Sequence, residues 1–271
     1  MRLASIHIYP VKSTQGHDLD VAEVLPWGLA GDRRYLVTDA DGEMLTAREH
    51  PRLLTVRAEL TGDTITLTGP HAAPLKVLPS SRRRETKVWR TPVELTDGGQ
   101  DAAEWLGALL GLPARLAWLD DPTRRPVNPE YGTADDRVTL ADGYPVLLAS
   151  TRSLAQLNDW IAEEAAERGE EVPEPLPISR FRPNLVVDGV EEPFAEDSWT
   201  RIQVGDVSFR VVKACDRCVF TTIDARTLKK GKEPIRTLSR HRKWDGKVWF
   251  AMNLIPDTTG AVVVGDRIQV L

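Results

Sequence analysis

The chain has 271 residues, with 35 Lys and Arg against 40 Asp and Glu, a formal charge of −5. That balance argues against a sequence-independent nucleic-acid binder, whose phosphate-neutralising surface shows as a basic excess. With 41% hydrophobic and 28% charged residues the chain reads as globular with a real core, not disordered. No apolar run approaches the ~20 residues that cross a bilayer. Residues 1–10 alternate like a strand and lack a signal-peptide core, so a cytoplasmic location without membrane association is expected. The cysteines are Cys215 and Cys218 alone. A disulfide scaffold is therefore excluded, and the spacing points to chemistry.

In chain order, the first half reads as short strands joined by tight turns. Asp41-Gly42 sits between two alternating runs in residues 34–46, the signature of a hairpin turn needing positive φ. A second hairpin is expected over residues 54–67, turning near Gly62-Asp63. Such closely spaced strands favour a barrel or sandwich over a parallel βαβ sheet. A helix is predicted over residues 101–110, with Ala102, Leu106 and Leu109 on one face and Gly111 and Pro113 as stops. Residues 119–129, rich in proline and charge, are expected to mark a boundary between domains at 1–118 and 119–271. A second helix is predicted over residues 152–167, burying Leu154, Leu157, Ile161 and Ala165. The acidic stretch from Glu167 to Pro177 follows as an exposed loop. Near the end, Val204-Gly-Asp and Val264-Gly-Asp each look like a turn entering a strand. The predicted class is mainly β with some helix (α+β), in two β-barrel-like domains.

The sharpest motif is Ala214-Cys-Asp-Arg-Cys218. It reads as half a zinc site, a redox dithiol, one working thiol beside a bystander, or two buried apolar side chains. His7, His17, His50, His71 and His241 are scattered, which speaks against zinc. Residues 219–223 look like a strand and not the helix start that a thioredoxin-type dithiol needs. Arg217 favours a functional thiolate, because a nearby cation stabilises the charged form. Lys12 and Ser13 end a strand, Arg33 opens a hairpin, and Arg182-Pro183-Asn184 leads into another strand. Cations, hydroxyls and amides at strand ends are the groups that hold a phosphate or an anionic cofactor.

Taken together, Tyr9-Pro-Val-Lys-Ser13, Asp32-Arg33, Thr46-Ala-Arg48, Phe181-Arg-Pro-Asn184, Ala195-Glu-Asp-Ser-Trp199 and residues 214–224 resemble the MOSC proteins. These are named for the C-terminal domain of molybdenum cofactor sulfurase, and the resemblance is to the branch containing the amidoxime-reducing components. It implies a MOSC N-terminal β-barrel domain followed by a MOSC domain, with a molybdenum–pterin cofactor (Mo-molybdopterin) held between them. In this resemblance Lys12, Ser13, Arg33, Arg182 and Asn184 contact the cofactor, Cys218 ligates molybdenum, and Cys215 supports it. Asp142 falls where the family has an acidic residue near the metal, in place to relay protons. The chain departs from animal members at Gly143-Tyr144, where they carry small hydroxyl residues. Pyridoxal phosphate binding is a further attribute attached to the family.

The activity implied is reduction of N-hydroxylated compounds such as amidoximes, hydroxylamines and N-hydroxylated bases, with the oxygen leaving as water. Some bacterial relatives carry a C-terminal ferredoxin-like domain. Here no cysteine remains for an iron–sulfur cluster, so a separate electron donor of ferredoxin, flavoprotein or cytochrome type is expected. Two alternatives stand beside this: a sulfur carrier or transferase using a Cys218 persulfide, and a protein that binds the cofactor without catalysis.

Overall fold

The computed structural model describes residues 1–62, 64–78 and 80–271. The fold is mainly β, with three α-helices among these residues, in the predicted α+β class with β-barrel-like domains. Contacts divide the chain into two compact units. Ile8–His17 and Ala30–Tyr144 form one, the Lys12 unit; Met1–His7, Asp18–Leu29 and Pro145–Leu271 form the other, the Cys218 unit. A single cut at 118/119 does not reproduce these units, because the first strand and residues 18–29 pack with the C-terminal half.

In the Lys12 unit an antiparallel sheet runs in the order Arg83–Val88, Thr91–Asp97, Arg115–Trp118, Tyr35–Thr38, Met44–Leu45. The hairpin predicted at Asp41-Gly42 closes this edge. Gly42 has φ 89°, and a Cβ there would stand 2.9 Å from the Glu85 carbonyl, so only glycine meets both demands. Arg57–Thr61 and Thr64–Gly69 form the second predicted hairpin; Asp63 in its turn lies outside the described residues. Helix α1 (Gln100–Leu110) buries Ala102 and Leu106 and ends on Gly111 at φ 75°. Leu36, Val88, Val93, Leu95, Ala117, Leu119 and Leu140 make one core cluster. Residues 119–129 are not a free linker: Leu119, Pro122, Arg125 and Val127 are buried in this unit.

The Cys218 unit is built on a sheet ordered His17–Leu19, Arg2–Ile8, Leu185–Asp188, Val146–Ser150, Lys247–Pro256, Val207–Asp216, Arg201–Val204, Ile268–Val270. Val146–Ser150 and Leu185–Asp188 run parallel, which a tight turn cannot connect. Helix α2 (Thr151–Glu167), capped by Ser150, makes the crossover. It buries Leu157, Ile161 and Ala165 as predicted, against Phe181, Leu238 and Phe250, while Leu154, also predicted there, is only partly buried at the edge of this cluster. The two Gly-Asp pieces near the end meet through the antiparallel pair Arg201–Val204 and Ile268–Val270. No helix among the described residues is long and apolar enough to cross a membrane.

Helix α3 (Ile235–His241) is fastened to α2 by a buried acid, Glu164. Its carboxylate accepts from His241 Nε2 at 2.9 Å and from Arg168 Nη1 at 3.2 Å, and Arg240 Nη1 lies 3.2 Å away. Burial pushes the Glu164 pKa up, but the His241 hydrogen bond and the Arg240 charge outweigh it and leave it below the usual glutamate range. A depressed carboxylate stabilises the fold above its unfolded pKa and loses that effect as pH falls. Glu164→Ala should cost about 3 kcal/mol in urea denaturation at pH 7, and the gap from wild type should narrow below about pH 4.

Candidate active site

The Lys12 unit opens with the loop that follows Ile8, whose backbone is held from the side. Lys12 N donates to Tyr35 O at 2.7 Å, and Arg33 N donates to Tyr9 O at 2.9 Å. Between these, the fully buried Asp32 accepts the Tyr9 N–H at 2.8 Å and the Arg33 guanidinium at 2.6 Å. Asp32 thus braces two motifs at once, although the sequence shows only an acid beside an arginine. Arg33 also lies 4.7 Å from the Tyr9 ring centroid. Ser13 has φ 69° and Arg33 φ 46°, left-handed conformations that cost a non-glycine residue about 1–3 kcal/mol.

Lys12 and Asp142 form an ion pair, and the Lys12 ammonium also donates to Leu140 O at 2.8 Å. Arg48 Nη2 reaches Asp142 Oδ2 at 3.4 Å while its guanidinium stacks 4.5 Å from the Trp89 ring. Trp89 Nε1 donates to Asp142 Oδ1 at 3.2 Å. Buried Arg125 holds the loop from behind, through the carbonyls of Thr139, Ala141 (2.6 Å) and Asp142 (3.3 Å). The structure therefore brings the predicted Lys12, Arg33 and Asp142 into one charged cluster, adding Arg48, Trp89 and Arg125. Arg125 lies in the stretch expected to mark a domain boundary, and no sequence spacing marks Trp89. Tyr144 packs edge-on against Tyr131, with ring centroids 6.2 Å apart.

The charges shift one another strongly. Burial lowers the Lys12 pKa to about 8, against the pull of Asp142 and aided by Arg125 and Arg33. Burial likewise brings Arg125 down to about 10, opposed by Asp142. Desolvation raises Asp142, but Lys12, Arg48 and Arg33 overcome it and hold the carboxyl well below the usual range. The Asp142 side chain is 58% exposed, so the ionised form is kept by these cations and by water together. Folding lowers the proton affinity of Lys12. Its burial costs stability at neutral pH, and that cost disappears as pH rises from about 8 towards ~10.4.

The Cys218 unit carries the other predicted residues. Arg182 follows the 3₁₀ turn Ile178–Phe181 at φ 54°, with its guanidinium 5.3 Å from the Phe220 ring. Phe220 belongs to the turn that begins after Cys218, so Arg182 and the Cys218 segment are neighbours. That turn corrects the sequence reading: Val219–Thr222 is one turn of 3₁₀ helix and not a strand. The Thr221 and Thr222 hydroxyls donate to the carbonyls of Cys218 and Val219, which favours the tight turn over an extended ladder. Cys218 is exposed and Cys215 partly buried. The cation between them faces Cys215: Arg217 Nη1 lies 2.9 Å from Cys215 Sγ, and Nη2 donates to Phe181 O at 2.8 Å. Asn184 turns to the sheet, where its amide accepts from Leu147 N and donates to His7 O, both at 3.1 Å.

If Lys12 must be charged to hold an anion, affinity tracks its protonation. Calorimetric titration of cofactor-free protein with inorganic pyrophosphate should show about tenfold weaker binding at pH 9 than at pH 7, following a pKa near 8. Lys12→Arg, charged at both values, should flatten that dependence.

Residues 1–113 match the MOSC N-terminal beta barrel domain and residues 135–269 the MOSC domain. The chain is 32% identical over 292 residues to human (Homo sapiens) mitochondrial amidoxime-reducing component 1, covering 99% of this chain and 82% of that protein. It is 32% identical over 287 residues to the mitochondrial amidoxime reducing component 2 of Bos taurus, covering 98% and 82%. With the molybdenum cofactor sulfurase of Danio rerio it shares 31% over 267 residues, 93% of this chain but 31% of that protein. The chain belongs to the MOSC family, with an N-terminal MOSC β-barrel domain, and is a relative of the amidoxime-reducing components.

Proposed function

We propose that this chain is a molybdenum-cofactor-dependent reductase of N-hydroxylated compounds, supplied with electrons by a separate protein. The observation that carries the reading is the cationic cluster around Lys12 in a relative of amidoxime-reducing components. For an amidoxime the balance is RC(=NOH)NH₂ + 2e⁻ + 2H⁺ → RC(=NH)NH₂ + H₂O. When bound, the cofactor supplies the two-electron couple for this reduction, while the protein supplies ligation, orientation and electrostatics.

The residues present suit such a group. Lys12, Arg33, Arg48 and Arg125 outnumber the carboxylates Asp32 and Asp142 around them, an excess that fits an anion. Among the described residues no three His, Cys, Asp or Glu side chains gather to hold a metal. A metal bound with only the Cys218 thiol from this chain is one that brings soft ligands of its own, as a dithiolene does. In this reading Lys12, Ser13, Arg33 and Arg182 grip the cofactor, Cys218 ligates its metal, and Asn184, between the Arg182 turn and the strand Leu185–Asp188, fixes that segment to the sheet. Asp142 stays ionised at neutral pH, which makes it the counter-ion that orients Lys12; Lys12, with its pKa near 8, is the better placed of the two to give up a proton.

The sulfurase relative and the exposed Cys218 support a second reading, a persulfide carrier. One experiment separates the two. Protein loaded with the cofactor should reduce benzamidoxime with reduced viologen and not with NADH alone. Cys218→Ser should change the metal's electronic spectrum and bring turnover to background, while Cys215→Ser keeps most activity. Sulfur transfer by cofactor-free protein, lost in Cys218→Ser without any molybdenum signal, would instead favour the carrier. In a separate check, Arg182→Ala should lower retained molybdenum tenfold or more, as loss of a charge-assisted contact of roughly 1.5–3 kcal/mol implies.

A further inference from the structure

The segment of residues 226–247 holds nine Lys and Arg against Glu233 and Asp245, in a chain whose net charge is −5. Its arginines and lysines behave differently. Each arginine is committed to an acid: Arg226 to Glu174 (3.2 Å), Arg236 to Glu233 (2.6 Å), Arg240 to Glu164 (3.2 Å), and Arg242 to Asp197. Lys229, Lys230, Lys232, Lys243 and Lys247 are exposed, and they form no ion pair among the described residues. The guanidinium groups of Arg236, Arg240 and Arg242 fasten neighbouring segments, while the compact ammonium heads stand exposed outside these ion pairs.

Both groups of lysines are fastened to the Cys218 segment by backbone hydrogen bonds. Gly231 N donates to Thr222 O and Asp224 N to Lys229 O, both at 2.9 Å, which ties the first group to the turn after Cys218. Arg217 N donates to Val248 O at 2.7 Å, and Asp216 pairs with Trp249, which ties the hairpin bearing Lys243 and Lys247 to the strand entering the motif. On that hairpin Trp244 is 41% exposed and stacks 5.7 Å from Trp249; Val219, next to Cys218, is 45% exposed. Cations surrounding a few exposed apolar side chains are the anatomy of a protein interface.

We propose that this lysine surface docks a small acidic one-electron carrier protein, bringing its redox centre to the Cys218 edge. The inference rests on the reductase reading, in which each N–O bond consumes two electrons and two protons. Two reduced carriers each give one electron and leave oxidised, so the carrier must arrive and depart twice per turnover. Such a partner needs electrostatic steering and fast release more than buried area. Glu233 and Asp245 interrupt the lysines into short blocks, and Glu170, Glu171 and Asp224 line one cavity with Lys229, Lys230 and Lys232. A compact acidic protein fits that pattern better than the uniform charge of a nucleic acid or an anionic membrane.

The test titrates full-length, cofactor-loaded protein with an acidic [2Fe–2S] ferredoxin and, in parallel, an acidic flavodoxin, at low and high ionic strength. Wild type should bind at least one of them, and binding should weaken steeply with salt. The charge reversal K229E/K230E/K243E/K247E should weaken it about tenfold or more while leaving viologen-driven benzamidoxime reduction intact. Absence of binding to both carriers, unchanged affinity in the reversal variant, or binding only to a duplex oligonucleotide or phosphatidylserine vesicles overturns the proposal. Loss of the viologen reaction in wild type overturns the reductase reading instead, so the two failures are distinguishable.

Discussion

A lysine ammonium kept from water must be answered by a charge or by hydrogen bonds, and most of the Lys12 unit is arranged around that demand. Asp142 supplies the charge and Leu140 O an acceptor. Both lie on one loop, so the loop must be rigid. Arg125 provides that rigidity by binding three successive regions of carbonyl oxygen from Thr139 to Asp142, at the cost of burying a second cation. Asp32 does the corresponding work on the other side, fixing Tyr9 and Arg33 together. Remove the Asp142 carboxylate and four cations, Lys12, Arg33, Arg48 and Arg125, face one another with one fewer anion. The cluster is stable because its members are mutually necessary, yet it retains an excess of positive charge for something negative to neutralise.

Local patterns were legible wherever neighbouring residues decide the conformation. The Asp41-Gly42 turn, the faces of α1 and α2, and the stop at Gly111 follow from spacing and glycine chemistry, and the structure has all of them. The family resemblance was legible from motifs in matching order. What stayed hidden depends on partners distant in sequence. Arg125 did not stand out in the stretch read as a domain boundary, because its partners are carbonyls, which leave no mark in a sequence. The turn at Val219–Thr222 looked extended because its residues are apolar and β-branched, and threonine hydroxyls bonding backwards decide it. The composition of each unit was hidden for the same reason, since Met1–His7 and Asp18–Leu29 pack with strands far down the chain.

Arg217 shows how a correct residue can support an argument at the wrong atom. A cation between two cysteines favours a thiolate, but the guanidinium meets Cys215. Cys218 sits at the start of its turn with an extended backbone, φ −121°. The guanidinium contact belongs to the partly buried Cys215, and the exposed thiol is Cys218, so the two cysteines of the motif sit in different surroundings.

Ser13, Arg33 and Arg182 share one backbone feature, a left-handed φ that glycine adopts freely. Glycine in their place would relieve conformational strain and so favour the folded state, as long as their side chains contribute little to holding it. Selection for heat resistance alone would then drift towards glycine at these positions and discard a hydroxyl and two guanidinium groups. Of the three, Arg33 is also held within the fold by Asp32, so glycine there would remove a brace as well as relieve strain. A thermostable variant obtained without an activity screen is the place where that trade would first become visible.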